Sequence, residues 1–271
     1  MSLKTSPMRV ALVGLGSIGK VLLELLKDEP GLRFDAIVVQ QGEEAFARDF
    51  TAQLAPFAQI VNTVPSNIDL VVEAAGHTAI REHVLPQLKL GTPCIVASVG
   101  ALSLPGLAEQ LEAAARDGRA QVQLIAGAIG AIDALTAARQ GGLNLVIYTG
   151  SKPVRAWMGT PAEQCFKLDL LTEATVIFEG SAREAASMYP KNANVAATVS
   201  LAGVGLDDTR VKLIADPQAT ENTHKVEAKG SFGSFEFVIR NKALVTNPKT
   251  SVLTVYSLAR AIRNRIASIS I

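Results

Sequence analysis

A chain of 271 residues, 48% of them hydrophobic, carries enough aliphatic material for one large domain or two smaller ones. Its 26 Lys and Arg stand against 25 Asp and Glu. That balance argues against a nucleic-acid or anionic-membrane footprint and points to small-molecule partners. Cys94 and Cys165 are the only cysteines, and neither has a Cys or His at metal-ligand spacing, so no metal site or disulfide framework is expected. The opening Met1–Pro7 is too polar for a signal peptide, and glycines break the next apolar run far short of a membrane span. The expectation is a cytoplasmic protein.

In chain order, Arg9 to Val13 reads as a strand, Gly14 to Gly19 as a turn, and Val21, Leu22, Leu25 and Leu26 as helical spacing. Pro30-Gly31 ends that helix, and Phe34 to Val39 completes a βαβ unit. Further strands are expected at Ile60–Val64, Asp69–Ala75, Cys94–Ser98 and Val122–Ile125, with helices through Val84 and Leu88 and from Leu107 to Ala115. Apolar runs without polar alternation suit a parallel sheet covered on both faces. After about residue 127 the pattern changes. Leu145–Tyr148, Thr175–Phe178, Val211–Ile214 and Phe235–Ile239 read as strands, Lys229–Ser234 as a hairpin turn, and Leu253–Ile266 as a closing helix. The predicted class is α/β. An N-terminal Rossmann-type dinucleotide-binding domain (1–127) precedes a second α+β domain (128–249) with a largely antiparallel sheet, and the C-terminal helix (250–271) packs back on the first.

The string Gly14-Leu15-Gly16-Ser17-Ile18-Gly19 is weak alone, but here it follows a strand, opens a helix and sits in a βαβ unit. Gly14 permits the turn, Gly16 lets backbone approach a pyrophosphate, and Gly19 lets the helix lie close to the strand. Ser17 and Ile18 join them as cofactor-binding positions at a helix N-terminus that favours negative charge. The acidic residue that holds an adenosine ribose is expected about 20 residues on, where Val39-Gln40-Gln41-Gly42 stands instead. Without that carboxylate the cofactor is NAD or NADP. Arg48 reads either as a contact to a 2′-phosphate or as a solvated helix arginine.

Lys191, Asn192 and Asn194 form a polar cluster within a helical pattern. Asparagine is a mediocre helix residue, so the cluster reads either as amide contacts to a ligand, with Lys191 on a substrate carboxylate, or as a helix cap beside a solvated lysine. Of the three histidines, His83 lies in a helix pattern and His77 at a helix start. His224 lies in a polar stretch between two expected strands, away from apolar periodicity. There an imidazole near its ordinary pKa of about 6.5 would both accept and donate protons.

Three further segments resemble the L-aspartate dehydrogenase family: Gly127–Leu135, Tyr189–Thr198, and Asp216-Pro217 with Asn222-Thr223-His224. Their order and spacing are similar to that family over nearly the whole chain. The resemblance implies oxidation of L-aspartate to iminoaspartate, which hydrolyses to oxaloacetate and ammonia, with NAD or NADP as acceptor and a link to NAD biosynthesis. It also implies Ala128 and Asn194 near the cofactor and His224 as the active-site residue. Ala128 suits its role, since a small side chain at a sheet's carboxyl edge leaves room for a nicotinamide; the alternative is a plain strand-to-helix turn. A homodimer is the default assembly.

Two other enzyme types share this plan, homoserine dehydrogenase and dihydrodipicolinate reductase. The second would carry a histidine-rich basic motif that three scattered histidines do not supply. A non-catalytic NAD(H)-sensing protein is the reading from another class, and the near-neutral charge gives it no DNA-binding module.

Overall fold

The computed structural model describes residues 6–190 and 194–270. The chain forms two compact units, one running to Ile125 and resuming at Val255, the other Ala126–Thr254. In the first, six strands make one sheet: β1 (Met8–Val13), β2 (Leu32–Val38), β3 (Gln59–Val61), β4 (Leu70–Glu73), β5 (Cys94–Val96) and β6 (Val122–Leu124). Their order is β3-β2-β1-β4-β5-β6, and every neighbouring pair is parallel. Val10, Ala11 and Leu12 of β1 and Val71 and Val72 of β4 are wholly buried, which is why these strands read as unbroken apolar runs. The order reverses beside β1, so a crevice for ligand opens beyond the carboxyl ends of β1 and β4.

Helix Ser17–Leu26 buries Gly19, Leu22, Leu23 and Leu26, whereas Leu25 is exposed. Strand β3 ends at Val61, short of the expected Val64, because the Asn62 side chain turns to the Val39 carbonyl at 3.0 Å and takes the chain out of the sheet. The helix after β4 is expected to be continuous. Instead, a π turn (Ile80–Val84) interrupts it between His77–Ala79 and Leu85–Lys89. Pro86 accounts for the irregularity, since it has no N–H to give and its ring crowds the carbonyl one turn back.

The second unit holds β7 (Leu143–Pro153), β8 (Thr175–Ser181), β9 (Arg210–Asp216), β10 (Asn222–Gly230) and β11 (Gly233–Asn241) in the order β11-β10-β7-β9-β8. Three pairings are antiparallel and one, β7 with β9, is parallel. The hairpin turn is the two-residue Ser231-Phe232 between β10 and β11. Strand β10 is absent from the sequence expectation, which left His224 in a polar stretch between strands. That placement is corrected: β10 lies between β7 and β11 and alternates buried Asn222, His224, Val226 and Ala228 with partly exposed neighbours. Two polar residues at its buried positions hide the period of two.

One face of this sheet is covered by helices. Helix Asn194–Ala202 packs on β7 and against helices Ile132–Arg139 and Ala182–Met188. It can lie there because Val195 to Ser200 are all buried and small, with Ser200 satisfying its hydroxyl on the Ala196 carbonyl at 2.6 Å. Helix Ala182–Met188 starts from a capping box formed by Ser181 and Glu184. The last helix, Val252–Arg263, contains the unit boundary. Within the first unit Arg263 pairs with Glu29 at 2.6 Å.

Candidate active site

The glycine loop is built for close approach. Gly14 has a positive φ of 97°, and a Cβ on it would stand 2.6 Å from the backbone of Ala75. A Cβ on Gly19 would collide with the Gly14 carbonyl oxygen, so only glycine lets the helix start this close to β1. Around Gly16, by contrast, a Cβ would meet nothing, and the backbone faces open space. Gly16 caps the helix with no side-chain hydrogen bond, and the first intrahelical bond from this cap is that of Lys20 N–H to Gly16. The N–H groups of Ser17, Ile18 and Gly19 thus head the helix as donors for an anion. A cavity of about 640 Å³ opens beside the loop, between the ends of β1, β2 and β4. These features fit a dinucleotide pyrophosphate.

Gln40 and Gln41 line that cavity, as the sequence expects, but so does Glu43, which a search for an acidic residue at the strand end misses. It returns to the cavity because it is the N-cap of helix Glu44–Thr51. Glu44 is engaged otherwise, accepting from Gly42 N–H at 2.8 Å and from the Asn62 amide at 2.9 Å, which holds its carboxyl below the usual range. Arg48 is not among the lining residues. His83 lines the cavity half-buried, its pKa lowered by burial, while His77 opens the helix after β4.

Sequence reasoning also missed Glu73, fully buried at the end of β4. Its carboxylate accepts from the N–H groups of Ala75 and Gly76, each at 2.8 Å. It also takes the Ser98 hydroxyl at 2.8 Å and the Ser98 N–H at 3.0 Å. One side chain therefore fixes the loops that follow two neighbouring strands at the ligand edge of the sheet.

In the second unit, polar groups gather on the covered face of the sheet. Tyr148, Gly150 and Lys152 alternate on β7, and His224 pairs in register with Gly150. Tyr148 is wholly buried, Lys152 is 4% exposed, His224 is 2% and Asn222 4%. The Tyr148 hydroxyl and Nδ1 of His224 are 2.8 Å apart. Nε2 of His224 has no partner, the one such buried side-chain atom found among the described residues. The expected near-neutral titration of His224 is corrected by this burial, which, with the nearby Lys152 charge, pushes its pKa down to about 3. Burial likewise pushes the Tyr148 phenol up, beyond ordinary titration. The ring is neutral at any working pH.

Ala128 is buried four residues past the end of β6, within the second unit, and its carbonyl accepts from the Asn241 amide at 2.6 Å. Asn194 is exposed at the first position of its helix. Lys191 and Asn192 lie outside the described residues. Among the described residues no group of His, Cys, Asp and Glu is arranged to hold a metal ion, and no helix is long and apolar enough to cross a membrane.

A Rossmann sheet with this loop and a mixed second sheet carrying a buried imidazole define a nicotinamide-dependent oxidoreductase that binds NAD or NADP. Residues 14–124 match the homoserine dehydrogenase NAD-binding domain, and residues 133–265 match the C-terminal domain of aspartate dehydrogenase. The chain is 61% identical to the L-aspartate dehydrogenase of Cupriavidus necator over 97% of its own length and 100% of that protein's. It is 56% identical to that of Pseudomonas aeruginosa with the same coverage. In structure it is similar to the aspartate dehydrogenase of Thermotoga maritima, with a TM-score of 0.75, 29% identity, and 97% and 99% of the two chains covered. The chain belongs to the L-aspartate dehydrogenase family, whose members are oxidoreductases acting on a CH–NH2 group.

Proposed function

We propose that this chain oxidises L-aspartate to iminoaspartate, which water converts to oxaloacetate and ammonia, and that the imine feeds NAD biosynthesis. When bound, the nicotinamide supplies the hydride acceptor. The chain's own residues then have to hold the dinucleotide, orient a dicarboxylate and handle protons. Gly14, Gly16, Ser17, Ile18 and Gly19 take the pyrophosphate, with Ala128 and Asn194 serving the cofactor elsewhere. Lys191 and Asn192 serve the substrate carboxylates.

The observation that carries the reading is the unpartnered, buried Nε2 of His224, set on a face that also bears the charge of Lys152. A buried polar atom without a partner is costly unless a ligand supplies one. A four-carbon diacid brings acceptor oxygens for that Nε2. The homoserine dehydrogenase alternative gains nothing from the site, because its match ends at residue 124, before every one of these residues.

We infer a homodimer in the cytoplasm as the working form. The sheet's other face supports an assembly, since it leaves Leu145, Ile147 and Ile214 only partly covered and Val238 42% exposed. A panel of L-aspartate, L-homoserine and other amino acids, each with NAD and with NADP, tests the reading. Aspartate alone should drive rapid reduction, and NADP should serve within about a hundredfold of NAD. Turnover with homoserine and none with aspartate would overturn it. Sedimentation of the same preparation should give twice the chain mass of 28.5 kDa; a monomer that turns over would remove the dimer.

A further inference from the structure

Tyr148 and His224 meet in a pocket that only a glycine permits. A Cβ on Gly150, which faces His224 across the strands, would stand 2.6 Å from the Tyr148 hydroxyl. That space is filled by the 2.8 Å contact between the hydroxyl and Nδ1. His224 is the single hydrogen-bond partner of that hydroxyl among the described residues.

Two proton arrangements fit the contact, and they differ in what they leave unmade. If Nδ1–H donated to the phenol oxygen, the phenol proton and the Nε2 lone pair would both be buried without partners. If the phenol donates to Nδ1, only Nε2–H is left, and a ligand oxygen satisfies it. We infer that Tyr148 donates its proton to Nδ1 of His224 and so fixes the Nε2–H tautomer, making His224 a hydrogen-bond donor to a substrate oxygen and not a base toward it. Tyr148 is thus a positioning residue.

The surroundings favour the same arrangement. The phenol, its pKa pushed up by burial, keeps its proton, and the imidazole, pushed down to about 3, gains none from solvent. The oxygen that Nε2–H meets belongs to a carboxylate, since Lys152 brings positive charge to the same face. The identity of that carboxylate rests on the aspartate reading above; the tautomer does not.

Nitrogen-15 spectra of the histidine-labelled full chain test the tautomer directly, with the His224 signals identified by their loss in His224→Gln. The expected result is an unprotonated Nδ1 and a protonated Nε2 at neutral pH. A protonated Nδ1 would overturn the inference, whatever the substrate proves to be. Kinetics supply the second arm. Tyr148→Phe should release the tautomer and raise the aspartate KM about tenfold, a change of about 1.4 kcal/mol, with NADH affinity held within about twofold. His224→Gln, whose amide donates but cannot serve as a base, should keep at least about tenfold more activity than His224→Ala. Equal loss in those two variants would return His224 to the role of base, and Tyr148→Phe with unchanged tautomer and KM would overturn the positioning role of Tyr148. If Tyr148→Phe does not fold, the wild-type spectrum still decides. Absence of aspartate turnover in the wild type would remove the substrate reading and leave the spectrum standing.

Discussion

His224 shows how far a residue's chemistry depends on its neighbours. Its presence in an α+β domain is readable in the sequence, but its strand and its pKa are not, because burial against Tyr148 and beside Lys152 is a property of the sheet. The consequence for folding is measurable. With a folded pKa of about 3 and an ordinary value of about 6.5, the unfolded chain holds a proton in that window that the native chain does not. Stability from this group is therefore complete above about pH 6.5 and falls as the pH drops toward 3, by up to about 1.4 kcal/mol per pH unit. Urea midpoints of wild type and His224→Gln, followed through the window, should converge in acid; parallel curves would mean that the ring is not buried as described. His83, also lowered by burial, is common to both proteins and cancels in the comparison.

Elements were legible where their buried faces are apolar. Strands β1 and β4 stand out as aliphatic runs because both of their faces are covered, and the glycine loop is readable because steric demand leaves glycine alone at Gly14 and Gly19. Strand β10 was not legible, since Asn222 and His224 occupy inward positions that the period-of-two rule assigns to apolar residues. The same polar residues that conceal the strand make up the candidate site. Tyr148 and Lys152 went unnoticed for a related reason: on β7 they alternate with partly covered residues, and nothing local announces that they share a face with His224. Glu73 was hidden at the end of an apolar strand, and its meaning lies in four donors from two loops. Oε1 accepts three of those contacts and Oε2 one, so Glu73→Gln would turn at least one N–H donor toward an amide NH2, and a loss of about 1–3 kcal/mol of stability and a weaker NADH affinity are expected together. Calorimetry with NADH binding checks this; a stable variant that binds NADH normally would show that the two loops hold without the carboxylate.

At the scale of the whole molecule, the Rossmann loop and its cavity lie in the first unit, and the buried imidazole with its tyrosine lies in the second. The strand pattern of the sequence changes near residue 127, and the two units divide between Ile125 and Ala126. Each unit alone supports a coarser statement: dinucleotide binding from one, recognition of a carboxylate from the other. Together they serve one reaction, in which the hydrogen on the substrate's Cα leaves as hydride. L-aspartate carrying deuterium at Cα, supplied with NAD, tests that claim most directly by mass spectrometry of the reduced cofactor. Every NADH formed should carry one deuterium in its nicotinamide, with oxaloacetate and ammonia appearing in equal amounts. Unlabelled NADH, or oxaloacetate formed without reduction of the cofactor, would contradict it.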